Sequence, residues 1–251
     1  MSPVAAHAPA ACPTRATLWH RRTRRDTELP NDEDLTVLRY HIVPVTPFQQ
    51  NCSIVWCDQT MEAALIDPGG DLPRLRQAIE RLGVQLKALW LTHGHLDHVG
   101  GTGTLARETG LPIIGPHPAD QFWLDALPQQ AAMFGFPPAE PFTPTRWLAD
   151  GDSVSLGRET LNVRHCPGHT PGHVVFHSPA IQRCFVGDVL FAGSIGRTDF
   201  PQGDHDTLIA SITQRLWPMG DDTVFIPGHG PESSFGEERR HNPYVRGTRT
   251  R

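Results

Sequence analysis

Residues 92–98 read Thr-His-Gly-His-Leu-Asp-His, and this stretch limits what the chain can become more than any other. His93, His95, Asp97 and His98 fall within six positions. Imidazole nitrogens and carboxylate oxygens are what zinc and neighbouring transition metals bind. Buried without an ion, each would demand its own polar partner, so the stretch makes a poor core segment. The spacing also argues against a regular element. His93 and His95 are two apart, as on one face of a strand or in a tight loop, whereas Asp97 and His98 are adjacent and diverge. One ion can take the first pair and a second ion the other. Gly94, Gly100 and Gly101 let the backbone turn sharply around them.

Further donors follow downstream. Pro-Gly-His-Thr-Pro-Gly-His (167–173) offers His169, Val-Gly-Asp-Val-Leu-Phe (186–191) offers Asp188, and Ile-Pro-Gly-His-Gly-Pro (226–231) offers His229. Each follows a strand-like segment and sits beside glycine, which is how side chains reach one rim of a sheet scaffold. With Asp188 bridging, the donors divide into His93, His95, His169 and Asp188 for one ion, and Asp97, His98, His229 and Asp188 for the other. Both shells leave room for water, as a catalytic site requires.

These residues carry a resemblance to the metallo-β-lactamase superfamily, and within it to the compact glyoxalase II-like hydrolases. Shared text extends beyond the metal motif: Pro-Val-Thr-Pro-Phe-Gln-Gln-Asn-Cys (44–52), Leu-Ile-Asp-Pro-Gly-Gly-Asp (65–71), His-Cys-Pro-Gly-His-Thr-Pro-Gly-His-Val (165–174), Gly-Arg-Thr-Asp-Phe-Pro-Gln-Gly-Asp (196–204) and Pro-Gly-His-Gly-Pro (227–231). The resemblance implies an α/β fold, a four-layer αββα sandwich. It also implies hydrolysis of small acyl thioesters, S-D-lactoylglutathione to D-lactate and glutathione being the natural candidate. The implied cofactors are two divalent ions, zinc first, with iron or manganese as alternatives.

The chemistry suits the donors. Two ions a few ångströms apart can hold a hydroxide that attacks the carbonyl, and they stabilise the oxyanion. No Gly-x-Ser-x-Gly elbow is needed or found. Asp97, besides binding metal, is the candidate to accept the hydroxide proton. Asp67 and His173 are candidates to hold the ligands from behind, since metal histidines donate their far nitrogen to a partner. Arg197 is the candidate grip for a carboxylate of a glutathione-like carrier, or else a partner for Asp199 or Asp204 that holds its loop. The alternatives are a mononuclear iron persulfide dioxygenase using His93, His169 and Asp188, and a β-lactam or other ester hydrolase.

Composition narrows the partners. A formal charge of −5 argues against a general nucleic-acid surface. No apolar run approaches a membrane span. The five cysteines form no Cys-x-x-Cys pair, which fits reduced thiols in the cytoplasm. The expected partner is a small-molecule thioester such as a glutathione conjugate, acted on by a monomer or weak homodimer. Residues 1–36, rich in Ala, Pro and Arg, read as a disordered or mis-assigned extension, with an organellar transit peptide as the alternative, and 37–251 as the hydrolase domain.

Patterning predicts strands at 38–45, 51–57, 63–66 and 88–91, and a helix from an Asp71 cap to Gly83. A helix at about 99–110 and a strand at 112–114 follow. Residues 116–150 read as a helix plus proline-rich loop covering one side of the site. Strands near 153–157, 160–165, 173–177, 182–187 and 223–226, with a helix carrying Leu208, Ile209, Ile212 and Leu216, complete the second half.

Overall fold

The computed structural model describes Met1 and residues 37–246. The expectation for the 1–36 extension, and residues 247–251 of the expected hydrolase domain, lie outside these residues. Strands β1 (Leu38–Val45), β2 (Gln50–Cys57), β3 (Glu62–Ile66), β4 (Gln85–Trp90) and β5 (Ile113–Ile114) form a sheet in that order. β1–β2 and β2–β3 pair antiparallel, and β3–β4 and β4–β5 pair parallel. Helix α1 (Leu72–Leu82) crosses from β3 to β4, and α2 (Leu96–Val99) and α3 (Thr102–Thr109) cross from β4 to β5. Helices α4 (Gln121–Asp125) and α5 (Leu127–Phe134) precede an irregular, proline-rich run.

The second half contains β6 (Ser153–Leu156), β7 (Glu159–His165), β8 (Val174–Ser178), β9 (Arg183–Gly187), the hairpin β10 (Leu190–Phe191) and β11 (Ser194–Ile195), and α6 (His205–Ser211). After α6 come β12 (Val224–Pro227), β13 (Ser233–Ser234) and α7 (Phe235–His241). The second sheet runs β13-β12-β9-β8-β7-β6, with β9 and β12 parallel.

Strand alternation builds the layers. Ile54, Leu65 and Leu89 point to an outer core shared with Leu75 and Ala78 of α1 and Leu105 of α3. Their neighbours Val55, Ile66, Ala88 and Trp90 point the other way, against Val163, Phe176, Phe185 and Ile226 of the second sheet. On that sheet's far face, Val175, Cys184 and Val186 meet Leu208, Ile212 and Phe235. Buried on both faces, the central strands read as unbroken apolar runs rather than alternating ones. The result is the four-layer αββα sandwich expected.

Four local readings need correction. Asp71 begins α1 but does not cap it: its φ is +48°, and its carboxylate accepts from the backbone N–H of Thr46 at 2.7 Å. Asp97 and His98 do lie in a regular element, the single turn α2, in which His98 N–H and Val99 N–H both donate to His95 O. The helix expected at 99–110 is divided at Gly100–Gly101. There the backbone packs on the turn after β3: a Cβ on Gly101 would stand 2.6 Å from Pro68 O. The helix through Leu216 is α6 continued by a wider π-type turn, Ile212–Leu216.

Two of the parallel strand pairs, β3–β4 and β9–β12, end at one rim. Asp67 follows β3, His93 follows β4, Asp188 follows β9 and His229 follows β12. The two sheets are sewn together there. Asn51 N–H donates to Gly228 O at 2.7 Å, and Val174 N–H donates to Thr92 O at 2.8 Å.

Candidate metal centre

His93, His95 and His169 converge at this rim. His93 Nε2 lies 3.1 Å from His95 Nδ1, which lies 2.9 Å from His169 Nε2. All three rings are buried. Burial, reinforced by the neighbouring imidazoles, holds the basicity of His93 and His95 well below the ordinary histidine range; burial likewise lowers that of His169. Three ring nitrogens converging in a buried space suit a shared cation, which can take a lone pair from each, where one hydrogen bond joins only two of them.

A second group stands beside the first. Asp97 Oδ2 is 3.1 Å from His229 Nε2 and 3.8 Å from His98 Nε2. Asp188 lies between the groups: Oδ2 is 3.6 Å from His169 Nε2 and 3.7 Å from His229 Nε2, and Oδ1 is 3.3 Å from His98 Nε2. His98 Nε2 and Asp188 Oδ1 are buried and find no hydrogen-bond partner. Burial alone would raise the Asp188 carboxyl, but His98, His169 and His229 around it hold it well below the usual range. Two orphaned donor atoms, three converging lone pairs and a central carboxylate fit divalent cations.

The far nitrogens of the rings are anchored by the scaffold. His169 Nδ1–H donates to Arg197 O at 2.8 Å, and His229 Nδ1–H donates to Phe48 O at 3.1 Å. His98 Nδ1–H donates to Asp67 Oδ2 at 2.8 Å. Asp67 is buried at φ +55°, and also accepts from Thr92 N–H at 2.7 Å and Thr92 Oγ1–H at 2.6 Å. His173 stacks on His93 with centroids 4.6 Å apart, and its Nε2 accepts from the N–H of Asp188 at 3.0 Å. The bonds of His98, His169 and His229 fix which nitrogen of each of these rings is left to face an ion.

Arg197 reaches the mouth of the site. Its Nε and Nη2 donate to both oxygens of Asp199 at 2.6 and 2.7 Å, and its guanidinium lies 4.2 Å above the ring of Phe200. Its backbone carbonyl, rather than its charge, is what touches His169, a candidate ligand.

Several bracing residues escape sequence reasoning. Asp120 is fully buried and clasps the loops that carry His95 and His169: it accepts from Gly94 N–H at 2.9 Å, Thr170 Oγ1–H at 2.8 Å and Gly172 N–H at 2.5 Å. Burial pushes its carboxyl up to about 6, against three hydrogen bonds that favour the anion. Gln130 accepts from Leu96 N–H at 2.9 Å and donates to Trp123 O at 2.8 Å. Both sit in the 116–150 segment, where no spacing pattern links them to the metal motif. Thr92, adjacent to His93, was within reach of the motif.

A metallo-beta-lactamase superfamily model matches residues 45–229. The hydroxyacylglutathione hydrolase GloC of Haemophilus influenzae is 48% identical over 209 residues, covering 83% of this chain and 98% of that protein. The human mitochondrial persulfide dioxygenase ETHE1 is 34% identical over 190 residues, covering 74% and 67%. Among solved structures, the B3 metallo-beta-lactamase BLEG-1 superposes with a TM-score of 0.77 at 34% identity, covering 83% of this chain and 100% of that one. TTHA1623 in a di-iron-bound form superposes with a TM-score of 0.75 at 36% identity, covering 82% and 100%. Fold, donor set and relatives agree: the chain belongs to the metallo-β-lactamase superfamily and is a glyoxalase II-like, metal-dependent hydrolase.

Proposed function

We propose that this hydrolase cleaves small acyl thioesters, S-D-lactoylglutathione first among them, with two divalent ions held at the rim. The observation that carries the reading is the pair of adjacent donor groups, His93–His95–His169 and Asp97–His98–His229, with Asp188 between them. The likeness to the Haemophilus hydrolase supports the substrate. When bound, the ions would supply Lewis acidity and make a water acidic enough to lose a proton near neutral pH.

The chain's residues do the remaining work. Asp97 is placed to take the proton from the attacking water, since its carboxylate stands at the open edge beside His229. The water oxygen bonds to the acyl carbon, the carbon–sulfur bond breaks, and the departing sulfur takes a proton to give a free thiol. Asp67, Thr92 and His173 keep the donor rings fixed, so little rearrangement accompanies the charge change. Arg197 lines the same cleft and is proposed to meet a carboxylate of the carrier. Zinc is the proposed metal, and the di-iron relative makes iron the alternative. We also place the enzyme in the cytoplasm, since Cys52, Cys166 and Cys184 are buried free thiols.

The competing reading is a single-iron persulfide dioxygenase, which the human relative brings in. Such chemistry leaves Asp97, His98 and His229 without a metal to hold. Metal analysis, thiol release from S-D-lactoylglutathione and oxygen uptake with glutathione persulfide, run on one preparation, separate the two. Thiol release at two ions per chain without oxygen uptake is expected. Oxygen uptake at one iron, with thioesters untouched, overturns the hydrolase reading.

A further inference from the structure

The hairpin β10–β11 is too short to hold itself in place. Each strand has two residues, and the pairing is limited to Leu190 with Ile195 and Phe191 with Ser194. Yet Phe191, Ser194 and Ile195 line the cleft of about 660 Å³ that opens from the metal rim, and Arg197 just beyond them does so too. Contacts from outside the hairpin must therefore fix where this wall stands.

Helix α7 supplies them. Phe235, Glu238 and Asn242 fall three and four residues apart and so follow one face of the helix. Phe235 is buried and stacks on Phe225 of β12 with centroids 5.6 Å apart, which seats the helix on the second sheet. Glu238 and Asn242, 3% and 1% exposed, meet the hairpin. Glu238 Oε2 accepts from Gly193 N–H and from Asn242 Nδ2–H, both at 2.8 Å, and Oε1 accepts from Ser233 Oγ–H at 2.5 Å. Asn242 Nδ2 also donates to Ser194 O at 2.9 Å. Ser233 belongs to β13, which pairs with β12. One buried carboxylate thus ties the exposed hairpin turn to the sheet that carries His229.

The base of the hairpin is held separately. Gly196 N–H donates to Val189 O at 3.3 Å, and Gly196 packs so closely on Asp188 O that a Cβ would not fit. Arg197 O, which accepts from His169 Nδ1–H, follows this fixed point. The base therefore keeps Asp188 and His169 in place, and the α7 side chains keep the wall.

We propose that Glu238 and Asn242 are positioning residues that set the substrate-facing wall by holding the β10–β11 hairpin, and so govern substrate binding rather than metal capture or bond breaking. The kinetic half of this proposal rests on the thioesterase reading above, and the half concerning the hairpin rests on the hydrogen bonds alone.

The test compares the metal-loaded full chain with Glu238→Ala, Glu238→Gln and Asn242→Ala. It reads KM and kcat for S-D-lactoylglutathione, metal per chain, and hydrogen exchange at residues 190–195. Each alanine variant should raise KM about tenfold, near what one lost hydrogen bond is worth, with kcat and metal content within about twofold of wild type. Exchange in the hairpin should rise about tenfold while β8 and β9 stay protected. Glu238→Gln should remain near wild type. Its amide oxygen can accept from Gly193 and Asn242, and its amide nitrogen can donate to Ser233 Oγ. If Glu238→Ala does not fold, Asn242→Ala decides, since it leaves the bond between Glu238 and Gly193 intact. A fall in kcat with KM unchanged, or faster exchange throughout the domain, would show a merely structural role and overturn the proposal. Unchanged KM and unchanged hairpin exchange overturn it too, as does a Gln variant as impaired as the Ala variant. If the wild-type chain cleaves no thioester, the thioesterase reading fails and the kinetic half falls with it, whereas hairpin exchange still decides the other half.

Discussion

Asp67 Oδ2 accepts the Nδ1 proton of His98 at 2.8 Å, and this bond leaves Nε2 of His98 bare toward Asp97 and Asp188. Asp67→Asn tests how far metal capture depends on it. The backbone at φ +55° is one that asparagine tolerates, so the fold should survive. If the amide oxygen accepts from Thr92 N–H, the amide nitrogen faces His98 Nδ1 and donates to it. The imidazole proton then moves to Nε2, the nitrogen needed for an ion. Metal affinity at the second position should fall about 10- to 100-fold. Titration with a competing chelator measures it, and unchanged affinity would show that Asp67 acts merely as a turn residue.

Gly228 precedes His229 and lies against both donor groups. A Cβ there would collide with Asp188 Oδ1 and stand 2.6 Å from His98 Cε1. Gly228→Ala changes no donor atom yet should displace two of them. A shift of about an ångström at a reacting centre can cost about 100-fold in rate. Wild-type turnover and metal content in this variant would mean that the rim is softer than the packing implies.

Asp120→Ala strands two backbone N–H groups and the Thr170 hydroxyl in a dry interior. A buried donor left without an acceptor costs about 1–3 kcal/mol. Chemical denaturation should show a loss of about 3 kcal/mol or more. The clasp joins the His95 and His169 loops, so the variant should also release metal faster to a chelator. Lost stability with unaltered metal release would confine Asp120 to folding.

The donors could be read because they arrive in short, glycine-flanked clusters that no ordinary core would tolerate. Alternating Ile54 and Val55, or Leu65 and Ile66, likewise announce strands buried on both faces. What stayed hidden is long-range. Asp120 meets Gly94 and Gly172 across 26 and 52 residues, and no local pattern records such distances. Asp71 shows the opposite failure. Its position before Leu72 has the look of a helix cap, but the β1–β2 turn offers Thr46 N–H as a competing partner, and tertiary contact wins. The aromatics of 116–150 could have been core or cleft. Trp123 is both, buried against α5 and edge-on to His95.

Arg197→Ala separates two uses of this residue. The carbonyl that holds His169 belongs to the backbone and survives the substitution. The guanidinium is exposed and already paired with Asp199. Gripping a carrier carboxylate should therefore show as a rise in KM of about fivefold or less, with kcat nearly unchanged. A collapse of kcat would mean that the side chain also shapes the His169 loop, and an unchanged KM would remove it from the binding surface.

Removing the ions should destabilise the fold while leaving it recognisable. Without a cation, His93 Nε2, His95 Nδ1 and His169 Nε2 face one another at 2.9–3.1 Å in a buried space. The layers themselves depend on apolar contacts away from the rim, such as Trp90 on Phe176 and Phe225 on Phe235. A ligand that binds the native state alone, at about 1,000 times its dissociation constant, adds about 4 kcal/mol. In a domain of this size, 1 kcal/mol corresponds to roughly 2–4 °C in Tm. Chelation should thus lower Tm by about 8–16 °C, with far-ultraviolet circular dichroism little changed. Adding back zinc should restore Tm in two steps if the ions bind with different affinities, and thioester hydrolysis should follow the second. Equal Tm with and without chelator would mean that the donors are not acting as a metal centre in the native state.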